Sequence, residues 1–235
     1  MLFNQFFDEV SCSYTYLISS GKGREALIID PVIEKTQEYI LHLKKLDLKL
    51  VKVIDTHIHA DHVSGLKELN KQTNCTLVMG EKSPSEIVHI KVKDNEKIKI
   101  ENIELTSIYT PGHTDCSYSF FMKDMIFTGD TLLINGTGRT DFQNGNPVDQ
   151  YHSLFERILK FPDSTIVFPA HDYKGKKSCT IGKQKKTNPR LQINSKEEYI
   201  NIMNNLNLDQ PTMMDIAVPA NIKGMTIDNF FKLTK

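Results

Sequence analysis

Residues 57 to 62 read His57-Ile58-His59-Ala60-Asp61-His62, three imidazoles and one carboxylate within six positions. Imidazole nitrogen and carboxylate oxygen are the ligands that zinc and ferrous iron accept. The hexapeptide follows the apolar run Leu50-Val51-Lys52-Val53-Ile54, which reads as a buried strand. In extended backbone, positions two apart share a face, so His57 and His59 can address one centre. A helix starting near Asp61 would turn that carboxylate and His62 toward a neighbouring point. Four ligand types this closely spaced behind a buried strand mark a metal site.

Three further segments end a strand on a residue of the same chemistry. Thr110-Pro111-Gly112-His113 follows a strand ending at Tyr109, Phe127-Thr128-Gly129-Asp130 closes another, and Phe168-Pro169-Ala170-His171 closes a third. Each alone is ordinary turn chemistry. Together they form one repeated device, a buried strand delivering a ligand to a common sheet edge. Of the eight histidines, His57, His59, His62, His113 and His171 fall in these places, whereas His42, His89 and His152 lie elsewhere and receive no role.

The elements that must position these groups alternate between strand and helix. Strands are expected at Tyr14 to Ser19 and Ala26 to Ile29, joined by Gly21-Lys22-Gly23, then at Leu50 to Ile54 and Thr76 to Met79. More follow at Ile98 to Ile108, Ser117 to Met122, Met125 to Thr128 and Thr165 to Phe168. Helices are expected over Glu34 to Leu46, Val63 to Lys71, Pro147 to Leu159 and Lys196 to Leu206. The pattern is α/β, without repeats or a long linker.

Composition narrows the class. At 235 residues, with Lys+Arg and Asp+Glu both 29, the chain has the size of one enzyme domain and no excess charge for nucleic acid or a membrane surface. No apolar run approaches a membrane span, and the start lacks a basic, signal-like segment. Cys12, Cys75, Cys116 and Cys179 are scattered without a Cys-x-x-Cys pair, which fits reduced thiols and a cytoplasmic location.

Thr56-His57-x-His59-x-Asp61-His62, Pro111-Gly112-His113-Thr114, Gly129-Asp130 and Pro169-Ala170-His171 resemble the ordered motifs of the metallo-β-lactamase superfamily. The resemblance implies a four-layer αββα sandwich, here one domain over residues 1–235, with a short C-terminal extension from about 175 completing the substrate pocket. Gly136-Thr137-Gly138-Arg139-Thr140-Asp141-Phe142-Gln143, His171-Asp172-Tyr173, Asn188-Pro189-Arg190-Leu191 and Val218-Pro219-Ala220-Asn221 narrow the likeness to the persulfide dioxygenases. It runs from about Tyr14 to Gly224.

That likeness implies one ferrous iron per chain, held by His57, His113 and Asp130. Such a triad leaves three positions open, enough for dioxygen and a substrate sulfur. The implied reaction converts glutathione persulfide, dioxygen and water into sulfite and glutathione. His59, Asp61, His62 and His171 would then orient the triad and hold waters. They also complete a two-metal set, so a binuclear zinc thioesterase similar to glyoxalase II is the rival reading. That pattern continues into a longer helical domain, while here about sixty residues follow His171. A non-enzymatic scaffold would predict a missing ligand, and none is missing. A homodimer is compatible with this reading, as is a separate sulfurtransferase supplying persulfide, a domain that does not fit within this chain.

The chain holds only four arginines, Arg24, Arg139, Arg157 and Arg190, and two of them lie in the narrower motifs. Arginine grips a carboxylate with two prongs, which lysine cannot copy. The resemblance assigns glutathione to Arg139, Tyr173, Arg190 and Asn221. From Tyr173 to Lys196 no acidic residue occurs and lysines are frequent. This stretch reads as a solvated loop, and Cys179 within it as structural.

Overall fold

The computed structural model describes residues 1–233. Twelve strands form two six-stranded sheets. The first sheet contains β1 (Leu2–Asp8), β2 (Ser13–Ser19), β3 (Glu25–Ile29), β4 (Lys49–Ile54), β5 (Thr76–Gly80) and β6 (Ile90–Val92), in that spatial order. The second runs in reverse, from β12 (Cys179–Thr180) through β11 (Ile166–Pro169), β10 (Met125–Gly129), β9 (Tyr118–Met122) and β8 (Ile103–Tyr109) to β7 (Lys97–Ile100).

Side-chain alternation dictates the layering. In β2, Tyr14, Tyr16 and Ile18 enter the core between the sheets, while Leu17 faces the opposite way. Tyr16, Leu27, Phe120, Phe127 and Phe168 fill that central layer. On the outer side of the first sheet lie α1 (Thr36–Lys45) and α2 (Leu66–Thr73), through Tyr39, Leu43, Leu66 and Leu69. On the outer side of the second lie α3 (Pro147–His152) and its continuation to Lys160, with α4 (Ile181–Thr187) and α5 (Lys196–Asn204). Two further helices, α6 (Met214–Lys223) and α7 (Ile227–Leu233), pack with Ile33 and Val63. Both sheets are covered on both faces, which explains why their strands read as near-continuous apolar runs.

Strand direction gathers the site. β3, β4 and β5 are parallel, as are β10 and β11. β8 and β10 both pair antiparallel with β9 and so point the same way. The carboxyl ends of β3, β4, β8, β10 and β11 therefore lead into Asp30, His57, His113, Asp130 and His171 along one edge.

Three expectations change. The run Ile98 to Ile108 is a hairpin, because Glu101 takes φ 43° and reverses the chain between β7 and β8. The helix after the histidines begins at Leu66 rather than near Asp61. The intervening loop is held by side chains instead: Asn221 Nδ2 donates to the carbonyls of His59 and His62 at 2.9 and 3.0 Å. The helix from Pro147 continues as expected but loosens to π-type winding over Ser153–Arg157. Strands β1, β6 and β12 and helices α4, α6 and α7 have no counterpart in the sequence reading, and the stretch from Tyr173 to Lys196, expected as a solvated loop, instead carries β12 and α4 with Ile181 and Gln184 buried.

Candidate metal centre

His57, His113 and Asp130 converge so that one ligand atom from each lies within 4.8 Å of the others. His113 Nε2 and Asp130 Oδ2 are 3.6 Å apart, and the rings of His57 and His113 have centroids 4.9 Å apart. His59, Asp61 and His62 likewise bring one ligand atom each within 4.8 Å of one another, and the His59 ring centroid lies 4.2 Å from that of His57.

Hydrogen bonds select which nitrogen of each ring faces the centre. Thr56 Oγ1 donates to Asp30 Oδ2 at 3.0 Å, so its proton is committed. It must therefore accept the 2.9 Å bond from His57 Nδ1–H, which leaves His57 Nε2 with a lone pair. His113 Nδ1–H donates to the Arg139 carbonyl at 2.8 Å and frees its Nε2 likewise. His59 Nε2–H donates to Asp30 Oδ1 at 3.2 Å, while its Nδ1 is buried with no hydrogen-bond partner among the described residues. His62 Nδ1 bonds Asp61 Oδ2 at 2.8 Å, and its Nε2 is likewise buried and unpartnered. Buried nitrogens without partners cost free energy unless something binds them. The two lone-pair Nε2 atoms of His57 and His113 with the Asp130 carboxylate fit a divalent metal of zinc or ferrous type, and His59, Asp61 and His62 form a second group of ligand types beside it.

The remaining histidine is placed differently. His171 lies between two carboxylates, Nδ1 to Asp130 Oδ1 and Nε2 to Asp61 Oδ2, both at 2.8 Å. Burial alone would lower its pKa, but Asp130 and Asp61 overcome this and hold it well above the ordinary histidine value. Burial works against Asp61 and Asp130 too, and the imidazoles around them, His171 first, hold both below the usual carboxylate range. His57 is driven down by burial, then by His59 and His113, which keeps it neutral and able to ligate. Ser13 Oγ completes the cluster, 2.9 Å from His171 Nε2 and 3.1 Å from Asp61 Oδ2.

Close backbone approach is required at two glycines. Gly129 takes φ 52°, and a Cβ there would lie 2.7 Å from Thr56 Oγ1. At Gly138 a Cβ would lie 2.4 Å from the Asp130 carbonyl and 2.8 Å from His113 Nδ1. Gln150, fully buried on α3, donates to the Gly138 carbonyl at 3.1 Å and accepts from Tyr199 Oη at 2.7 Å.

The residues expected to meet substrate divide. Tyr173 is 72% exposed, and its ring stacks over His171 at 6.2 Å and 11°. Arg190 Nη1 donates to the carbonyl and hydroxyl of Thr137, and among the described residues no carboxylate pairs with it. Arg139 is engaged with Asp141 and with the carbonyls of Leu208 and Asp209. Asn221 is buried, accepting from Ser64 N while gripping the histidine loop, so its amide acts on that loop from behind. Cys179 is buried in β12, and burial raises its thiol to about 11.

The sequence reading gives no place to Asp30, Ser13 and Gln150, and includes Thr56 only as a member of its histidine motif, without a role. Asp30 had a legible signal, since Ile28-Ile29-Asp30 ends a strand on an acid, as Gly129-Asp130 does. The others are small or neutral residues whose role is set by partners distant in sequence.

Comparison with known proteins is consistent with this geometry. Residues 10–87 and 86–171 match the metallo-beta-lactamase superfamily. The persulfide dioxygenase ETHE1, mitochondrial, of Homo sapiens is 40% identical over 226 residues, covering 95% of this chain and 88% of that protein. The crystal structure of ETHE1 from Myxococcus xanthus superposes with a TM-score of 0.92 at 43% identity, covering 94% of this chain and 98% of that one. A hydroxyacylglutathione hydrolase of Dictyostelium discoideum is 33% identical over 172 residues, covering 68% of this chain and 62% of that protein.

Proposed function

The chain belongs to the metallo-beta-lactamase superfamily and, within it, to the persulfide dioxygenases; from that premise we propose an enzyme with one ferrous iron that oxidises glutathione persulfide. The net reaction is glutathione persulfide plus dioxygen and water giving glutathione, sulfite and two protons. The observation that carries this reading is likeness across nearly the full length of the persulfide dioxygenases, where the hydroxyacylglutathione hydrolase match covers 68% of this chain.

His57 and His113, through their Nε2 atoms, and Asp130 hold the iron. Bound there, ferrous iron supplies one-electron chemistry with dioxygen and a residual positive charge that favours an anionic sulfur. The side chains around it prepare that place. Thr56 and the Arg139 carbonyl fix the two imidazole tautomers. His171 bridges Asp130 and Asp61, with one ring nitrogen 2.8 Å from each carboxylate, and so ties the two acids together.

Glutathione carries two carboxylates. Arg190, which has no carboxylate partner among the described residues, and the exposed ring of Tyr173 are the groups best placed to receive it. A cytoplasmic location rests on the four free cysteines, although the mammalian relatives are named mitochondrial. Elemental analysis of protein purified without added metal tests the cofactor: the proposal expects one iron per chain. Two zinc ions per chain with negligible iron in active protein would overturn it.

A further inference from the structure

Arg139 does not have the geometry of a residue waiting for a carboxylate. Its Nε and Nη2 donate to the two carboxylate oxygens of Asp141 at 2.6 and 2.7 Å, a complete two-pronged pair. Nη1 donates to the Asp209 carbonyl at 2.6 Å, and Nη2 also reaches the Leu208 carbonyl at 3.2 Å. The guanidinium lies over the Phe142 ring, 4.5 Å from its centroid, and the side chain is only 13% exposed. A guanidinium has five N–H donors, and four are thus committed. One remaining N–H cannot make the parallel pair of bonds that a bidentate grip on an incoming carboxylate needs.

The backbone of the same residue serves the metal ligands. The Arg139 carbonyl accepts from His113 Nδ1 at 2.8 Å, and the preceding Gly138 N–H donates to the Asp130 carbonyl at 2.6 Å. Leu208 and Asp209 belong to the connection between α5 and α6. That connection spans two helices already tied to the centre, α5 through Tyr199 to Gln150 and α6 through Asn221 to the histidine loop. Arg139 holds it midway between them.

We propose that Arg139 is a positioning residue: its side chain clamps the α5–α6 connection and Asp141, and its carbonyl thereby holds His113 in the orientation that presents Nε2 to the metal. The clamp makes the C-terminal segment part of the metal cradle. This rests on the metal-site reading but not on the persulfide substrate, so it can be tested with a probe metal whether or not the dioxygenase reading stands.

The experiment titrates metal-free protein with cobalt(II) against a competing chelator, recording the cobalt absorption spectrum, and measures amide exchange over residues 205–213. Arg139→Met keeps the aliphatic stem on Phe142 but removes every donor. It should bind cobalt ten-fold or more weakly with an altered spectrum, and should lose protection over 205–213. Its metal-free melting temperature should stay close to that of the original protein, since an effect confined to the cradle does not loosen the central core. Arg139→Lys should recover part of both losses, because one amine can reach a carbonyl but cannot form the fork. Asp141→Asn retains the arginine and the volume, and should show a smaller loss in the same direction. It decides the matter if Arg139→Met does not fold. Unchanged cobalt affinity and exchange in Asp141→Asn would overturn the proposal. So would an Arg139→Met protein with unchanged cobalt affinity and spectrum whose only defect is a raised KM, since the residue would then be gripping substrate.

Discussion

Thr56→Val isolates the hydrogen-bond relay behind the first ligand. Valine keeps the shape of threonine, which matters because the side chain packs against Gly129. It deletes the hydroxyl that links Asp30 Oδ2, 3.0 Å away, to His57 Nδ1, 2.9 Å away. Asp30 Oδ1 keeps its bond from Thr56 N–H at 2.7 Å, so the strand end should remain in place. Two polar atoms in a fully buried site then lack partners, at a cost of about 1–3 kcal/mol each. For a chain of this size each kcal/mol corresponds to about 2–4 °C, so the total of about 2–6 kcal/mol should lower the melting temperature of metal-free protein by roughly 4–24 °C. The larger consequence is at the metal. With Nδ1 unbonded, the imidazole no longer favours the tautomer that leaves Nε2 open, and iron affinity should fall about 10–100-fold. Chelator competition under anaerobic conditions reads that loss directly. Thr56→Ser, which restores the hydroxyl, should regain most of it. A Thr56→Val protein that binds iron as tightly as the original would refute the relay.

Three further outcomes follow from the same geometry. His57→Ala, His113→Ala and Asp130→Ala should each lose iron, whereas His62→Ala should retain most of it; equal loss in all four, read by elemental analysis, would argue for a binuclear centre. Gly138→Ala should impair metal binding, because its Cβ would lie 2.4 Å from the Asp130 carbonyl and 2.8 Å from His113 Nδ1; normal iron content in this variant would count against the close approach. The pKa of His171 is raised in the folded chain, so the stability it adds to metal-free protein is complete below the ordinary value of 6.5 and is lost as pH rises through the raised one. Asp61 and Asp130 are lowered, so their contribution is present above the ordinary 3.8 and is lost as pH falls through their folded values. Thermal melts of metal-free protein should therefore weaken on both sides of neutrality, and His171→Gln should lack the alkaline decline.

The residues of the candidate centre, proposed ligands and His171 alike, were legible because each ends a buried strand, and strands signal themselves through β-branched and aromatic runs. His57 after Ile54, Asp130 after Phe127 and His171 after Phe168 repeat that pattern, and the parallel strand ends place them on one edge. Edge strand β1 was missed because its residues are mostly half-buried and its run is interrupted by Asn4 and Gln5. α6 was hidden by Pro219, which ordinarily ends a helix. The roles of Arg139 and Asn221 could not be read from residue type, since either side chain can serve a substrate or the protein's own backbone. The structure shows the partners that residue type does not: Asp141 and two carbonyls for Arg139, the carbonyls of His59 and His62 for Asn221. The tautomer relay through Thr56 and Asp30 joins residues 26 positions apart, which no local pattern encodes.

The central claim is oxidation of a persulfide by dioxygen, and the oxygen electrode addresses it most directly. Iron-loaded protein given glutathione persulfide should consume one dioxygen for each sulfite released, and should leave S-lactoylglutathione intact in a parallel assay. No oxygen uptake with glutathione persulfide, together with hydrolysis of the thioester, would contradict the account and make the protein a thioesterase.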